Sequence, residues 1–511
     1  MNRMQSHAEE DKRKMQEQLE ELWWEMEAFA RKGTAVHEVE GHLFRKILYL
    51  GYLLLGFFFR LQGAGDQGEQ VKLEDGRVLQ RQEGMCTRRY WSVFGEFELS
   101  RHVYVEREKQ VQEYVPLDAR LQLPESSYSY LWQEWSQGLA VEFSFEQVAV
   151  VLGRMLGWNT GVSALERTNR AMAESAAAYW REVPAQPAPQ GEFVVVSADG
   201  KGVPMRKPAE APPIQAHDGH RGPPKDRKKM AIVGAVYDAQ PHVRAAADVL
   251  ESLFRSPLPV KKTEPEPREE RKAPIAKAVR ACLTQKAAND EEINAREVIF
   301  PWLGEQVRLR DPVGHKPVVV VMDGQACLWS DAQAALGEAR TRVEVLDFLH
   351  VTEKLWELAH IFDEPTQHRI KMDGYISMLL QGQARELTVW FRNEAKTRQL
   401  APAEARRVET VCGYFEHNWE RMRYDQYLAA GYPIASGVIE GACRHVVKDR
   451  LERTGMHWTV PGAQAMLQLR CIAINQQWEE FTAFRVCRES ARLYPHTTLY
   501  EVEDWPIPMA A

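Results

Sequence analysis

A chain of 511 residues with 44% hydrophobic and 27% charged residues is too long for one ordinary core, so about two to four domains are expected. A net charge of −7 excludes a global basic footprint, though not local basic patches, which whole-chain charge averages away. The seven cysteines (Cys86, Cys282, Cys327, Cys412, Cys443, Cys471 and Cys487) contain no Cys-x-x-Cys pair, which argues against a disulfide framework or zinc module and fits a reducing cytosol.

Met1 to Glu21 is charged and polar, unlike a secretory signal. Residues 8–31, without Pro or Gly, predict a helix. A second helix, about His37 to Leu61, carries the apolar run Ile47 to Phe59. That run is too short to span a bilayer and has charged flanks, so no membrane partner is expected. Residues 1–65 thus form a helical arm, either a hairpin packed on its own domain or a dimerising element. His37 and His42 stand five apart rather than four and make no zinc-protease motif.

Residues 66–115 alternate in polarity and predict a small β module with a turn at Gly95. Residues 116–183 return to helix. There Ser144 caps one helix, Gly157 to Gly161 makes a turn, and Val162 to Met172 carries polar and basic residues, a helix-turn-helix pattern. Arg167 and Arg170 are its candidate DNA contacts, and plain helix packing is the alternative. Pro184, Pro187 and Pro189 mark a boundary.

Residues 190–364 mix strands and helices. Phe193 to Ala198 reads as a strand closed by Asp199. A loop over 201–229 comes next, in which Lys201, Arg227, Lys228 and Lys229 are phosphate-contact candidates among eight cations. Met230 to Tyr237 is a second strand, and a third is expected near His242 to Ala247. An exposed loop over 255–274 and a helical stretch lead to the strand Val318 to Met322, closed by Asp323. Val343 to Leu346 then ends at Asp347, before a helix from about Leu349 to Phe362. Residues 365–430 read as helix throughout, residues 431–480 hold a helix from about Ser436 to Arg453 with Glu440, and 481–511 form a tail.

Continuous valine-rich runs predict strands buried on both faces. A carboxylate at the exit of such a strand is poor for packing but good for holding a divalent cation. Asp199, Asp323 and Glu440 are therefore the candidate catalytic and metal-holding residues, for Mg²⁺ or Mn²⁺. Asp347 is either a further site residue or a strand cap, and short polar residues commonly end strands, which favours the cap. Arg444, Lys448 and Leu451 share a broad helix face with Glu440, and Arg444 and Lys448 either contact DNA or pair locally. His350, His445 and His457 read as structural or DNA-facing, and Trp329, Trp458 and Trp478 as core.

Ser197-Ala198-Asp199-Gly200-Lys201-Gly202-Val203-Pro204, Met322-Asp323-Gly324, Leu346-Asp347-Phe348-Leu349-His350 and the long stretch from Ser436 through Arg444-His445 to Trp458 and on to Arg470 resemble the DDE transposases of bacterial insertion sequences, the ISKra group, over roughly residues 110–475. The resemblance implies a multidomain α+β and α/β protein. Its catalytic core would be RNase H-like, a mixed sheet with an all-helical insertion, preceded by helical and small β modules. It implies cleavage at transposon ends and 3′-hydroxyl strand transfer, with double-stranded DNA as partner, a homodimer or higher assembly on DNA, and a cytoplasmic, nucleoid-associated location. Relatives carry cysteine pairs in the N-terminal β region, whereas Val103 to Leu117 has none. The rival expectations are a domesticated, non-catalytic DNA-binding protein and an RNase H-like nuclease without strand transfer.

Overall fold

The computed structural model describes residues 2–106, 112–183, 191–206, 228–254, 272–286, 291–337, 341–453 and 455–495. Arg227, the proline linker and most of the charged loop over 255–274 lie outside the described residues. The protein is a mixed α+β chain that divides into two compact units, residues 1–181 with 477–511, and residues 182–476.

The first unit opens with the helices α1 (Asn2–Lys32) and α2 (Val36–Gln62). Their contact is polar as well as apolar: His42 lies 2.8 Å and Lys46 3.2 Å from Glu25 of α1. On another face of α2, Tyr52 and Phe59 pack on Phe97 of the hairpin formed by Cys86–Ser92 and Gly95–Arg101. The apolar run thus belongs to a 27-residue helix, longer than the run alone suggested and passing the length and hydropathy criteria for a membrane span. It contacts a charged helix and a β-hairpin, yet Gly56 is the one residue along it that is buried. Further along, α3 (Phe145–Leu156) and α4 (Val162–Ala173) match the expected helix pair. Ser144 and Gln147 form a capping box, and Gly157 ends α3 in the left-handed conformation that glycine adopts most easily. Arg167 and Arg170 are exposed on α4.

The second unit is built on a five-stranded sheet: β1 (Phe193–Pro204), β2 (Lys228–Ala239), β3 (Ile275–Leu283), β4 (Val318–Met322) and β5 (Arg342–Leu346). The spatial order is β5-β4-β1-β2-β3, with β1, β4 and β5 parallel and β2 antiparallel to both β1 and β3. α5 (Ala295–Arg310) precedes β4, and α6 (Phe348–Phe362) comes after β5. Val318–Met322 is buried throughout, as a central strand covered on both faces must be. Four α-helices between His368 and Ala429 form the expected helical block. Then come the short α7 (Gly437–Ala442), a π-helical segment over Cys443–Lys448, and α8 (Val460–Ile474).

Three expectations are corrected. β1 runs past Asp199 to Pro204 in a ladder with β2, so Lys201, Lys228 and Lys229 lie on strands and not in a loop. The third strand is Ile275–Leu283, whereas the 242–247 region leads into a helix over Ala246–Leu253. Alanine and lysine made Ile275–Leu283 look helical, but burial against α8 overrides that propensity. Side chains guard its edge: Asn475 bonds both the N–H and C=O of Val279, and Gln464 accepts from Leu283. The last helix, α9 (Trp478–Leu493), belongs to the first unit and is no tail. Within that unit Tyr179 donates to Glu480 at 2.7 Å.

At the end of the sheet where β1 begins, Asp238 is fully buried between Arg310 at 3.0 Å and Lys316 at 2.9 Å. Removing the carboxylate takes a buried ionic partner from both cations. Asp238→Ala should therefore lower unfolding stability by about 3–5 kcal/mol, read as a shift of the urea midpoint.

Candidate active site

Strand register aligns the acids. Val318, Val319 and Val320 of β4 pair with Val194, Val195 and Val196 of β1, and Met322 pairs with Leu346 of β5. Carried onward, the same offsets bring Asp323 level with Asp199 on one side and Asp347 on the other. Neighbouring strands lie about 4.8 Å apart. Asp347 donates its backbone N–H to Met322 at 2.8 Å, which continues the β4–β5 ladder to this level.

Asp347 does more than end a strand. It is fully buried and caps α6 by accepting from Leu349 N–H at 3.1 Å. It also accepts from Ser436 Oγ at 2.5 Å, from Ser436 N–H at 3.2 Å, and from His350 Nδ1 at 2.7 Å. Ser436 immediately precedes α7, and its hydroxyl lies 3.5 Å from Glu440 Oε1. One carboxylate therefore fixes the start of the Glu440 helix to the sheet. Burial pushes Asp347 upward, but the bonds from His350, Ser436 and Leu349 outweigh it and hold the carboxyl below its ordinary range. The bond to Asp347 in turn raises His350 to about 9.

Asp323 and Glu440 move the other way. Burial raises Asp323, as do the charges of Asp199 and Asp347. Burial raises Glu440, as do Asp347 and Asp199. Asp199 accepts from its neighbour Gly200 N–H at 2.6 Å, and the Cys443 thiol approaches it at 3.5 Å. Burial and the adjacent Asp199 push that thiol upward, so Cys443 is a neutral donor and not a thiolate. Asp199 and Asp347 are thus each within electrostatic reach of both Asp323 and Glu440.

Hard carboxylate oxygens that repel one another are the donor chemistry Mg²⁺ or Mn²⁺ would relieve, so the donor set fits such an ion. Among the described residues no three His, Cys, Asp or Glu side chains are already drawn into a metal-holding cluster. Asp347 is fully buried and each of its oxygens takes two hydrogen bonds from the protein, which leaves Asp199, Asp323 and Glu440 as the candidate ligands.

The surrounding cations divide. Lys228 pairs with Glu452, and Arg444 lies 3.5 Å from Asp449 with most of its side chain in solvent. Lys448 is exposed, and Lys201 and Lys229 are half-buried on the β1–β2 ladder. Leu451 does not share the Glu440 face, because it is fully buried while Arg444 and Lys448 are exposed. The π-helical segment bonds i to i+5 and rotates the residues beyond it, a change of phase that even helical spacing does not anticipate. His445 pairs with Asp449 at 2.9 Å, and the His457 ring approaches the Gly455 carbonyl. Trp329 is buried, while Trp458 and Trp478 are half-buried.

Sequence reasoning missed Tyr414, which comes from the helical block. A Cβ on Gly324 would lie 2.2 Å from its ring, so the residue after Asp323 must be glycine for the block to close over this edge. Burial, together with Asp323 and Asp347, raises the Tyr414 hydroxyl to about 12. Nothing local in the sequence marks this tyrosine. For Ser436 and His350 the signal was present, since both belong to the segments that carry the family resemblance.

No known family model matches the chain, and no curated protein matches it in sequence.

Two outcomes are expected at this site. His350 gains its proton affinity on folding, so its contribution is complete below its unfolded pKa near 6.5 and fades as pH rises through about 9. An NMR titration of the imidazole should find it charged at pH 7.5, and Asp347→Asn should return it toward its ordinary value. Gly324→Ala should cost about 1–3 kcal/mol by overpacking against Tyr414, checked by thermal unfolding.

Proposed function

We propose that this chain is a DDE-type DNA transposase with an RNase H-like catalytic core, acting in the bacterial cytoplasm and nucleoid. The observation that carries the reading is the parallel β1–β4 register, which continued three residues past its last pair sets Asp199 level with Asp323, together with the electrostatic reach of Asp199 to Glu440 on a later helix. The sheet order β5-β4-β1-β2-β3 with β2 antiparallel agrees with that core, as does a helical block between β5 and the glutamate.

Asp199, Asp323 and Glu440 would hold Mg²⁺ or Mn²⁺. Bound divalent cations supply activation of the attacking oxygen and stabilisation of the leaving oxygen in phosphodiester chemistry. The chain's own part is positional. Asp347 and Ser436 hold the Glu440 helix at the sheet edge, and Tyr414 packs against Gly324 beside Asp323. Lys201, Lys229, Arg444 and Lys448, with Lys228 and Arg227, are the residues proposed to meet DNA phosphates near the chemistry. Arg167 and Arg170 on α4 would contact transposon ends, and joining two ends and a target calls for a dimer or larger assembly on DNA. The rival readings, a non-catalytic DNA-binding protein and a plain nuclease, differ in product and not in binding.

A plasmid excision and integration assay with Mg²⁺ or Mn²⁺ separates them. Asp199→Ala, Asp323→Ala and Glu440→Ala should each abolish cut and joined products while end-DNA binding persists. Wild-type protein that binds without cutting would establish the non-catalytic reading. Cut ends without joined product would establish the nuclease.

A further inference from the structure

α2 presents three sides, and two of them are covered. One side meets α1 through His42 and Lys46, and a second meets the β-hairpin through Tyr52, Leu55 and Phe59. The third carries Phe44, Ile47, Gly51, Leu54, Phe58 and Leu61. Phe44, Ile47, Leu54, Phe58 and Leu61 are each between 43% and 53% exposed. An apolar stripe along one side of a helix normally faces a partner.

The spacing along this third face runs three, four, three, four, three, which is a heptad stripe suited to another helix. The stripe is also self-complementary. It is symmetric about its midpoint between Tyr52 and Leu53, so an antiparallel copy sets Phe44 against Leu61, Ile47 against Phe58, and Gly51 against Leu54. None of these paired stripe positions is charged, and the gap at Gly51 is taken up by the chain's own Phe94. Phe94, exposed at the hairpin tip, borders that gap, since a Cβ on Gly51 would lie 2.5 Å from its ring. The neighbouring α1 adds exposed Leu19 and Trp23. Together these side chains expose roughly 700–800 Å² of apolar surface, about what one partner contributes to a stable interface.

A bilayer fits less well. Lys46 and Arg60 of α2 are held by Glu21, Glu25 and Asp11 of α1, so the apolar helix cannot enter lipid without a strongly charged companion.

We propose that the α2 stripe is a self-association surface, on which a second copy of this chain docks antiparallel about a two-fold axis near Tyr52 and Leu53. Such an interface is isologous, the same patch on both copies. It does not depend on the acidic site and would persist without DNA.

The test uses the full-length protein, with sedimentation and light scattering near 20 µM, a concentration of the order at which a stable dimer persists. Wild type should have the mass of a dimer, and Leu54→Glu with Phe58→Glu should halve it while circular dichroism stays unchanged. Orientation is read by cysteine pairs. Phe44→Cys with Leu61→Cys in one chain should give an oxidised covalent dimer, whereas Phe44→Cys alone should give none beyond the wild-type background. Crosslinking by Phe44→Cys alone overturns the antiparallel geometry. A monomeric wild type overturns the proposal, as does a dimer that survives both glutamates. Flotation of wild type, but not of the glutamate variant, with phosphatidylglycerol vesicles overturns it in favour of a membrane surface.

Discussion

The acidic edge depends on one buried carboxylate. Asp347 has no solvent to charge against, so its ionisation rests on the donors around it: Ser436 twice, Leu349 and His350. Those donors come from both sides of the long helical block. Hydrogen bonds to an ionised acceptor are among the stronger ones, and leaving such a group unpaired is costly. Asp347 therefore joins two distant stretches of chain and sets where Glu440 can stand.

The two ends of the sheet make opposite use of charge. At one end Asp238 is balanced by Arg310 and Lys316 and is closed to solvent. At the other, four carboxylates stand against His350, and two of them, Asp323 and Glu440, resist ionisation. A fold that neutralises acid at one end and leaves it crowded at the other is spending stability at the crowded end. Such perturbed carboxylates concentrate at functional sites, although structural networks perturb them too.

Asp199 and Asp323 were legible because valine-rich runs lead up to them, and a charge that closes such a run stands out, whereas Glu440, on a helix, was legible from the segment that carries the resemblance. The helical block was legible from the absence of strand patterns. Other features were not. Ile275–Leu283 is made of helix-forming residues held as a strand by Asn475 and Gln464, two partners far away in sequence. The extension of β1 past Asp199 passes through two glycines, which a local reading takes for a turn. Here they give room to Met230 and Lys228 of the facing strand. The π-helical segment and the approach of Tyr414 to Gly324 depend on packing alone.

The composition of the first unit has a consequence for synthesis. Residues 1–181 share their unit with the helix Trp478–Leu493, so the unit stays open until that helix emerges from the ribosome. At ordinary elongation rates the second unit between them takes roughly 15–60 s to make. During that interval the second unit can finish, acidic edge included, while Tyr179 still lacks Glu480. A helix made after the second unit completes a unit begun before it, and a nascent chain is for a time a finished second unit carrying an unfinished first one.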